Sequence, residues 1–236
     1  VFNPVFSANG SDLLTITEFQ GQQQLVRVDL DTHEIEVVLG QQDVVSDFDE
    51  APDGQLYALI NRPQYPGEIF TVNKESSWVQ LSAVHQALLA DIEFGAVEKH
   101  EFESEPGVTI EAFYLFPPGY QKEHSYPAVL HIHGGPQAQW DFGFNYEAQL
   151  LAAQGYIVVM PNSRGSFGYG QKFASAINKD WGGPDFIDVM AAMDFGIDKG
   201  WIDSERMAVY GWSYGGMLTN HVITKTNRFA AAITGA

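Results

Sequence analysis

Cysteine is absent from this 236-residue sequence. With it go disulfides, a cysteine nucleophile and thiolate metal sites, while reducing and oxidising compartments both tolerate such a chain. Basic residues are scarce: 12 Lys+Arg stand against 30 Asp+Glu, a formal net charge of −18. That balance repels nucleic acid and anionic membranes, excludes nucleic acid as a partner and favours solubility. No apolar run approaches the roughly 18 residues of a membrane-spanning helix, so no membrane partner is expected. Residues 1–30 hold no basic stretch followed by an apolar one, the pattern of a secretory leader. A cytoplasmic location is the expectation; periplasmic and secreted locations stay open, because an internal piece of a longer chain would have lost its leader.

What is present suits folded cores. Hydrophobic residues make up 45% and aromatics 13% of the chain, enough for one large domain or two smaller ones. Two halves differ in their period. Residues 1–90 carry short β-prone runs at 13–16, 25–28, 35–39, 56–60 and 69–72, separated by turn clusters. A weak repeat aligns Ala8-Asn9-Gly10-Ser11-Asp12 with Ala51-Pro52-Asp53-Gly54-Gln55. A period of roughly 40 to 45 residues with about four strands each fits β-propeller blades, two of which cannot close a ring. A small β-meander or sandwich fits the repeat equally well.

Residues 91–120 read as a linker and a hairpin, whose arms at 97–102 and 109–114 flank Glu105-Pro106-Gly107. Beyond Pro117-Pro118-Gly119 the pattern changes to buried strands alternating with amphipathic helices. Strands are predicted at 128–132, 156–160, 206–210 and 229–234, with helices at 146–154, 184–199 and 214–224. Pro184 opens the second helix, and Gly155 and Gly200 stop the first two. Four strands with helical crossovers predict a parallel sheet. The domain boundary is expected at 90/91.

The chemistry concentrates in Gly211-Trp212-Ser213-Tyr214-Gly215-Gly216, directly after an apolar strand. A serine projecting from a tight strand-to-helix corner needs neighbours without Cβ, hence Gly211 and Gly215. This is the Gly-x-Ser-x-Gly elbow of α/β-hydrolases, with Ser213 as the candidate nucleophile. A serine hydroxyl also needs a base and donors for the oxyanion. The Tyr214 N–H, first in its helix, is one candidate donor. The loop His133-Gly134-Gly135-Pro136 supplies the other, Gly135 favoured over Gly134. The expected fold class is therefore α/β: an α/β-hydrolase with a C-terminally truncated parallel sheet over 91–236, preceded by all-β blades.

Several motifs have blander readings. His131 and His133 alternate on one strand, but no third ligand accompanies them, so no metal and no cofactor is expected. Both precede the serine in sequence, whereas the α/β-hydrolase order is serine, acid, histidine. His221 lies on the serine's own helix, pointing away from the elbow. Asp-Phe-Gly at 141–143 and 194–196 lacks the phosphate loop of a kinase and reads as coincidence. Ala236 lies only 23 residues beyond Ser213, so the chain is expected to be an internal fragment without the triad Asp and His, inactive alone. An unfinished sheet edge predicts self-association as a homo-oligomer. The elbow by itself leaves open an esterase or lipase, or a non-catalytic binding module.

Three motifs together carry a resemblance: His133-Gly134-Gly135-Pro136, then Pro161-Asn162-Ser163-Arg164-Gly165-Ser166-Phe167-Gly168-Tyr169-Gly170, then Gly211-Trp212-Ser213-Tyr214-Gly215-Gly216. In order and spacing the chain resembles the prolyl oligopeptidase family of serine peptidases, most closely its acylaminoacyl-peptidase-like branch. The resemblance implies a catalytic α/β-hydrolase domain with a β-propeller that screens access, and short peptides as substrates. It implies Ser213 as nucleophile and the Gly135 and Tyr214 amides as oxyanion donors. Arg164 is then an ion-pair anchor in a structural loop over 162–170. The family's catalytic aspartate and histidine have no counterpart in this sequence.

Overall fold

The computed structural model describes residues 2–40, 43–72 and 77–236. The chain forms two compact units. One comprises Val1–Ile92 with Asp141–Phe144, the other Glu93–Trp140 with Asn145–Ala236. The division thus falls two residues beyond the boundary at 90, and a four-residue stretch of the second half groups with the first unit.

In the first unit, β1 (Phe2–Phe6), β2 (Asp12–Glu18), β3 (Gln23–Asp29) and β4 (Ile35–Leu39) form one antiparallel meander. A second consists of β5 (Val44–Glu50), β6 (Leu56–Arg62), β7 (Tyr65–Val72) and β8 (Trp78–Gln80), followed by the single helical turn α1 (Gln86–Leu89). Among the described residues a parallel bridge, Gln23 to Val44, joins the two. The same turn precedes β2 and β6: Gly10 donates to Ser7 O and Gly54 to Ala51 O, each at 2.8 Å. Both glycines have positive φ, 73° and 84°, which a side chain would oppose. Alternating residues Leu14, Ile16, Leu25, Val45, Leu56, Ala58 and Ile60 form a common core.

The second unit is a mixed α/β layer. Its elements are β9 (Val97–Glu105), β10 (Val108–Leu115), β11 (Tyr126–Ile132), α2 (Tyr146–Ala153), β12 (Ile157–Asn162), α3 (Gln171–Ala174), α4 (Pro184–Asp198), β13 (Ile202–Trp212), α5 (Tyr214–Lys225) and β14 (Ala231–Gly235). The sheet order is β14-β13-β11-β12-β10-β9. Strands β14, β13, β11 and β12 run parallel, in the registers Val129 to Val158, Leu130 to Val209 and Val209 to Ala232. The four strands expected to be parallel are so, but the sheet as a whole is mixed, because the hairpin joins it: β10 pairs antiparallel with β12, Phe113 opposite Met160, and brings β9 with it. Residues Ile110 to Leu115 are buried on both faces. Such a strand cannot stand as a half-solvated hairpin and completes the sheet instead.

Helix limits follow local chemistry. The Asn145 side chain accepts from Ala148 N–H at 2.9 Å and caps α2, while Pro184 occupies the first turn of α4. Beyond α4, Gly200 takes φ 76°, the left-handed stop that glycine makes cheap. Helices α4 and α5 present Val189 and Met193, and Leu218 and Val222, to Leu130, Ile132, Val159 and Val209 of the sheet. The i, i+4 spacing puts each pair on one helical face. Each such side chain removed from water contributes about 1.5–3 kcal/mol. This packing fixes α5, and with it the corner where β13 ends. Among the described residues no helix is long and apolar enough to cross a membrane.

Candidate active site

Ser213 stands between the last residue of β13 and the first of α5. It is exposed, and its φ of 57° with ψ of −122° lies where L side chains rarely go. The corner is closed by backbone contacts. A Cβ on Gly211 would run into the Gly215 carbonyl, one on Gly215 into the Ile132 carbonyl and 2.8 Å from His133 O, and one on Gly216 into the Gly235 carbonyl. Ser213 N–H donates to Gly235 O at 2.8 Å, and its carbonyl accepts from Met217 N–H at 3.0 Å. The tip of β14 therefore holds the turn, and the end of β11 abuts the start of α5.

That abutment brings the 134–136 loop to the serine. A Cβ on Gly134 would lie 3.4 Å from Trp212 O and 3.6 Å from Ser213 Cβ. The Gly135 N–H meets no acceptor among the described residues. The Tyr214 N–H, at the first helical position, has none within the helix, and no side chain caps α5. The Tyr214 N–H directly follows Ser213, the Gly135 N–H belongs to the loop that abuts it, and the positive end of the α5 dipole points at the serine. An anion formed at this corner is favoured.

Hydrogen bonds from other elements hold the Tyr214 side chain and the 138–140 stretch that follows the two-glycine loop. Tyr214 Oη donates to Asp185 Oδ2, and Asp185 accepts from Gly182 N–H at 2.8 Å and Phe186 N–H at 3.0 Å. Burial, and then the Asp185 carboxylate, push the Tyr214 phenol above its usual range. It remains a neutral donor. On the other side, Asn162 Oδ1 accepts from Trp140 N–H at 2.7 Å and Asn162 Nδ2 donates to Trp140 O at 2.9 Å. Phe167 N–H donates to Ala138 O at 2.9 Å. The 162–167 strap is itself anchored by Arg164, which donates from Nε and Nη2 to the buried Asp188 at 2.9 and 2.8 Å and from Nη2 to Glu105 at 2.5 Å.

The histidines take other places. His133 is buried, with Nδ1 2.7 Å from Gly134 O and Nε2 2.9 Å from Ser166 Oγ. His131 is buried between Tyr210 and Trp140, each ring centroid 4.6 Å away. Burial, and secondarily His133, depress its pKa to about 4. Glu147 approaches His131 Nε2 to 3.7 Å but is 59% exposed, too solvated to offset that burial. His221 sits two turns into α5, about 12 Å along the axis from Ser213, its ring against Gly182. No hydrogen bond reaches Ser213 Oγ among the described residues. No group of three or more metal-capable side chains occurs among them either.

Sequence reasoning singled out Ser213, Tyr214, Gly134 and Gly135, and the structure gathers all four at one corner. It overlooked Asp185, Asn162 and Ser166. Asn162 and Ser166 lay inside a quoted motif, whereas Asp185 carried no signal beyond its place in the first turn of a helix.

Comparison with known proteins sharpens this picture. The sequence profile described as the prolyl oligopeptidase family matches residues 140–236. The uncharacterized peptidase YuxL of Bacillus subtilis (strain 168) is 33% identical over 98% of this chain and 35% of its own length. Dipeptidyl-peptidase 5 of Porphyromonas gingivalis (strain ATCC 33277) is 31% identical over 92% of the chain and 32% of its own. The chain thus spans about a third of the length of the curated relatives it matches. Among solved structures, an acylaminoacyl peptidase of Pyrococcus horikoshii superposes with a TM-score of 0.86 at 26% identity, covering 96% of this chain and 36% of that one. An acylaminoacyl peptidase in complex with Z-Gly-Gly-Phe-chloromethyl ketone gives 0.86 at 25%, over 95% and 36%. With an exposed serine at the β13–α5 elbow, and with relatives that are peptidases along nearly its whole length, the chain belongs to the prolyl oligopeptidase family.

Proposed function

We propose that Ser213 is the nucleophile of a serine peptidase that hydrolyses short peptides. The observation that carries this reading is the exposed, positive-φ serine at the β13–α5 corner with the unengaged Gly135 and Tyr214 N–H groups beside it. Ser213 Oγ attacks the scissile carbonyl carbon, and the C=O electron pair moves onto oxygen. The resulting oxyanion is met by the two amides, each worth roughly 10²- to 10³-fold in rate. The Ser213 hydroxyl proton passes through the base to the leaving nitrogen, so that collapse expels a neutral amine and leaves an acyl-enzyme, which water hydrolyses to the acid, returning a proton to Ser213. Cleavage of the dipeptidyl or acylaminoacyl type is the finer expectation, in keeping with the names of the relatives.

In this reading the two four-stranded meanders are β-propeller blades, and the second unit is the leading part of an α/β-hydrolase domain. The acid and the imidazole base come from the part of the longer protein that this chain does not span. The 236 residues alone, in which Ser213 Oγ meets no base among the described residues, then give negligible turnover. The test is a Ser213→Ala variant of the full-length protein assayed on chromogenic peptides. A fall of about 10⁴-fold or more in kcat is expected, and a parental rate would remove the assignment.

A further inference from the structure

We propose that Tyr169 is a positioning residue for the reaction: anchored on the buried Glu111–Lys99 pair of the β9–β10 hairpin, its hydroxyl fixes the Asn162 amide and, through Trp140, the stretch of chain that carries Gly135. This deepens the reading above and rests on it.

Strand register brings the parts together. Glu111 lies directly opposite Asn162 across β10 and β12, and opposite Glu101 across β10 and β9. Opposed residues share a face of the sheet, and so does Lys99, two positions from Glu101. The Glu111 side chain is buried and both its oxygens are engaged: Oε2 accepts from Lys99 Nζ at 2.7 Å and Oε1 from Tyr169 Oη at 2.6 Å. Burial, and then the Glu111 charge, push the Tyr169 phenol far above its ordinary pKa. It keeps its proton and directs it at Glu111, which leaves a lone pair to accept from Asn162 Nδ2 at 2.7 Å.

Both amide hydrogens of the fully buried Asn162 are thereby committed: the second goes to Trp140 O at 2.9 Å, while Oδ1 accepts from Trp140 N–H at 2.7 Å. Without the Tyr169 hydroxyl, an amide hydrogen and a carboxylate oxygen would stand unpaired in a dry place, a cost that turning the amide relieves. Turning it opens the clamp on Trp140. Gly135 depends on that clamp. A Cβ on Gly135 would lie 2.6 Å from Gln137 N and 3.1 Å from Ala138 N, so the backbone doubles back directly after it. Ala138 N–H donates to Pro136 O at 2.8 Å, and Ala138 O accepts from Phe167 N–H at 2.9 Å. Gly135 itself, at φ 122°, has no side chain to resist rotation, so residues 138–140 set the direction of its N–H.

The experiment uses the full-length protein with a chromogenic peptide and a peptidyl trifluoromethyl ketone, which forms a tetrahedral adduct on serine. Tyr169→Phe removes one oxygen from a half-buried ring and should lower kcat about tenfold with KM within about twofold. Asn162→Ala, which opens the clamp itself, should lower kcat about 10²-fold, as for loss of one oxyanion donor. Because Tyr169 acts through Asn162, the double variant should match Asn162→Ala within about twofold. Ketone affinity should fall in step with kcat, whereas a merely structural role would lower Tm and leave both at the parental level. Parental kcat and ketone affinity in Tyr169→Phe, a loss confined to KM, or losses that multiply in the double variant would overturn the proposal. Should Asn162→Ala fail to fold, Tyr169→Phe decides alone: a matched fall in kcat and ketone affinity sustains the idea, and parental values sink it. Ser213→Ala separates the two levels. If it abolishes turnover while Tyr169→Phe keeps the parental kcat, only the positioning role fails; if it retains turnover, the nucleophile assignment fails.

Discussion

Replacing Ser213 with glycine should make the protein more stable than replacing it with alanine. Both changes delete the hydroxyl, and both keep the backbone bonds to Gly235 and Met217 at 2.8 and 3.0 Å. They differ in the Cβ, which at φ 57° and ψ −122° is held in a region costing about 1–3 kcal/mol. Glycine relieves that strain but frees the unfolded chain, at a cost of about 0.4–1 kcal/mol. A net gain of about 1 kcal/mol remains, or a rise of about 2–4 °C in Tm for a chain of this size. Differential scanning calorimetry of parent, Ser213→Ala and Ser213→Gly at one pH reads it directly. The alanine variant should melt close to the parent. If Ser213→Gly melts at or below Ser213→Ala, the corner stores no strain and the reasoning is refuted.

Other consequences are open to measurement. Arg164→Met would leave the buried Asp188 without its cation; a loss of about 3–5 kcal/mol in urea unfolding is expected, and a change below about 1 kcal/mol would show that the strap does not depend on this pair. His131, whose pKa falls to about 4 on burial, binds its proton in the unfolded chain before it does in the folded one. Its contribution is present above the unfolded value near 6.5 and is lost as pH falls towards 4, by up to about 3 kcal/mol. His131→Gln should flatten the stability profile between those pH values; an unchanged slope would assign the effect to other groups.

The elbow was legible because its cause is local. Glycines bracketing a serine after an apolar run specify a corner whatever the rest of the chain does, and β13 and α5 meet there. The inner strands were legible for a related reason: 128–132 and 157–162 are buried throughout, so continuous apolarity marks them. Strand β5 escaped notice, since Ser46, Asp47 and Asp49 mask its alternation. β13 extends back to Ile202 because Ile202 pairs with Tyr126 across a register shift, a tertiary pairing that no local pattern encodes. The last strand lies at Ala231–Gly235 rather than 229–234, and it is Gly235 that bonds Ser213. Contacts between distant residues, Asp185 with Tyr214 and Ser166 with His133, depend on chain segments meeting only after folding.

The bracing of the two-glycine loop has an energetic corollary. Trp140 has both its backbone groups saturated by a single amide side chain, and Ala138 is tied to the same segment, so the loop's shape is settled when the sheet assembles. A charge developing at that corner finds its dipoles already aligned and spends none of its stabilisation on turning them. Polar order laid down during folding is thus already in place for any anion that forms there.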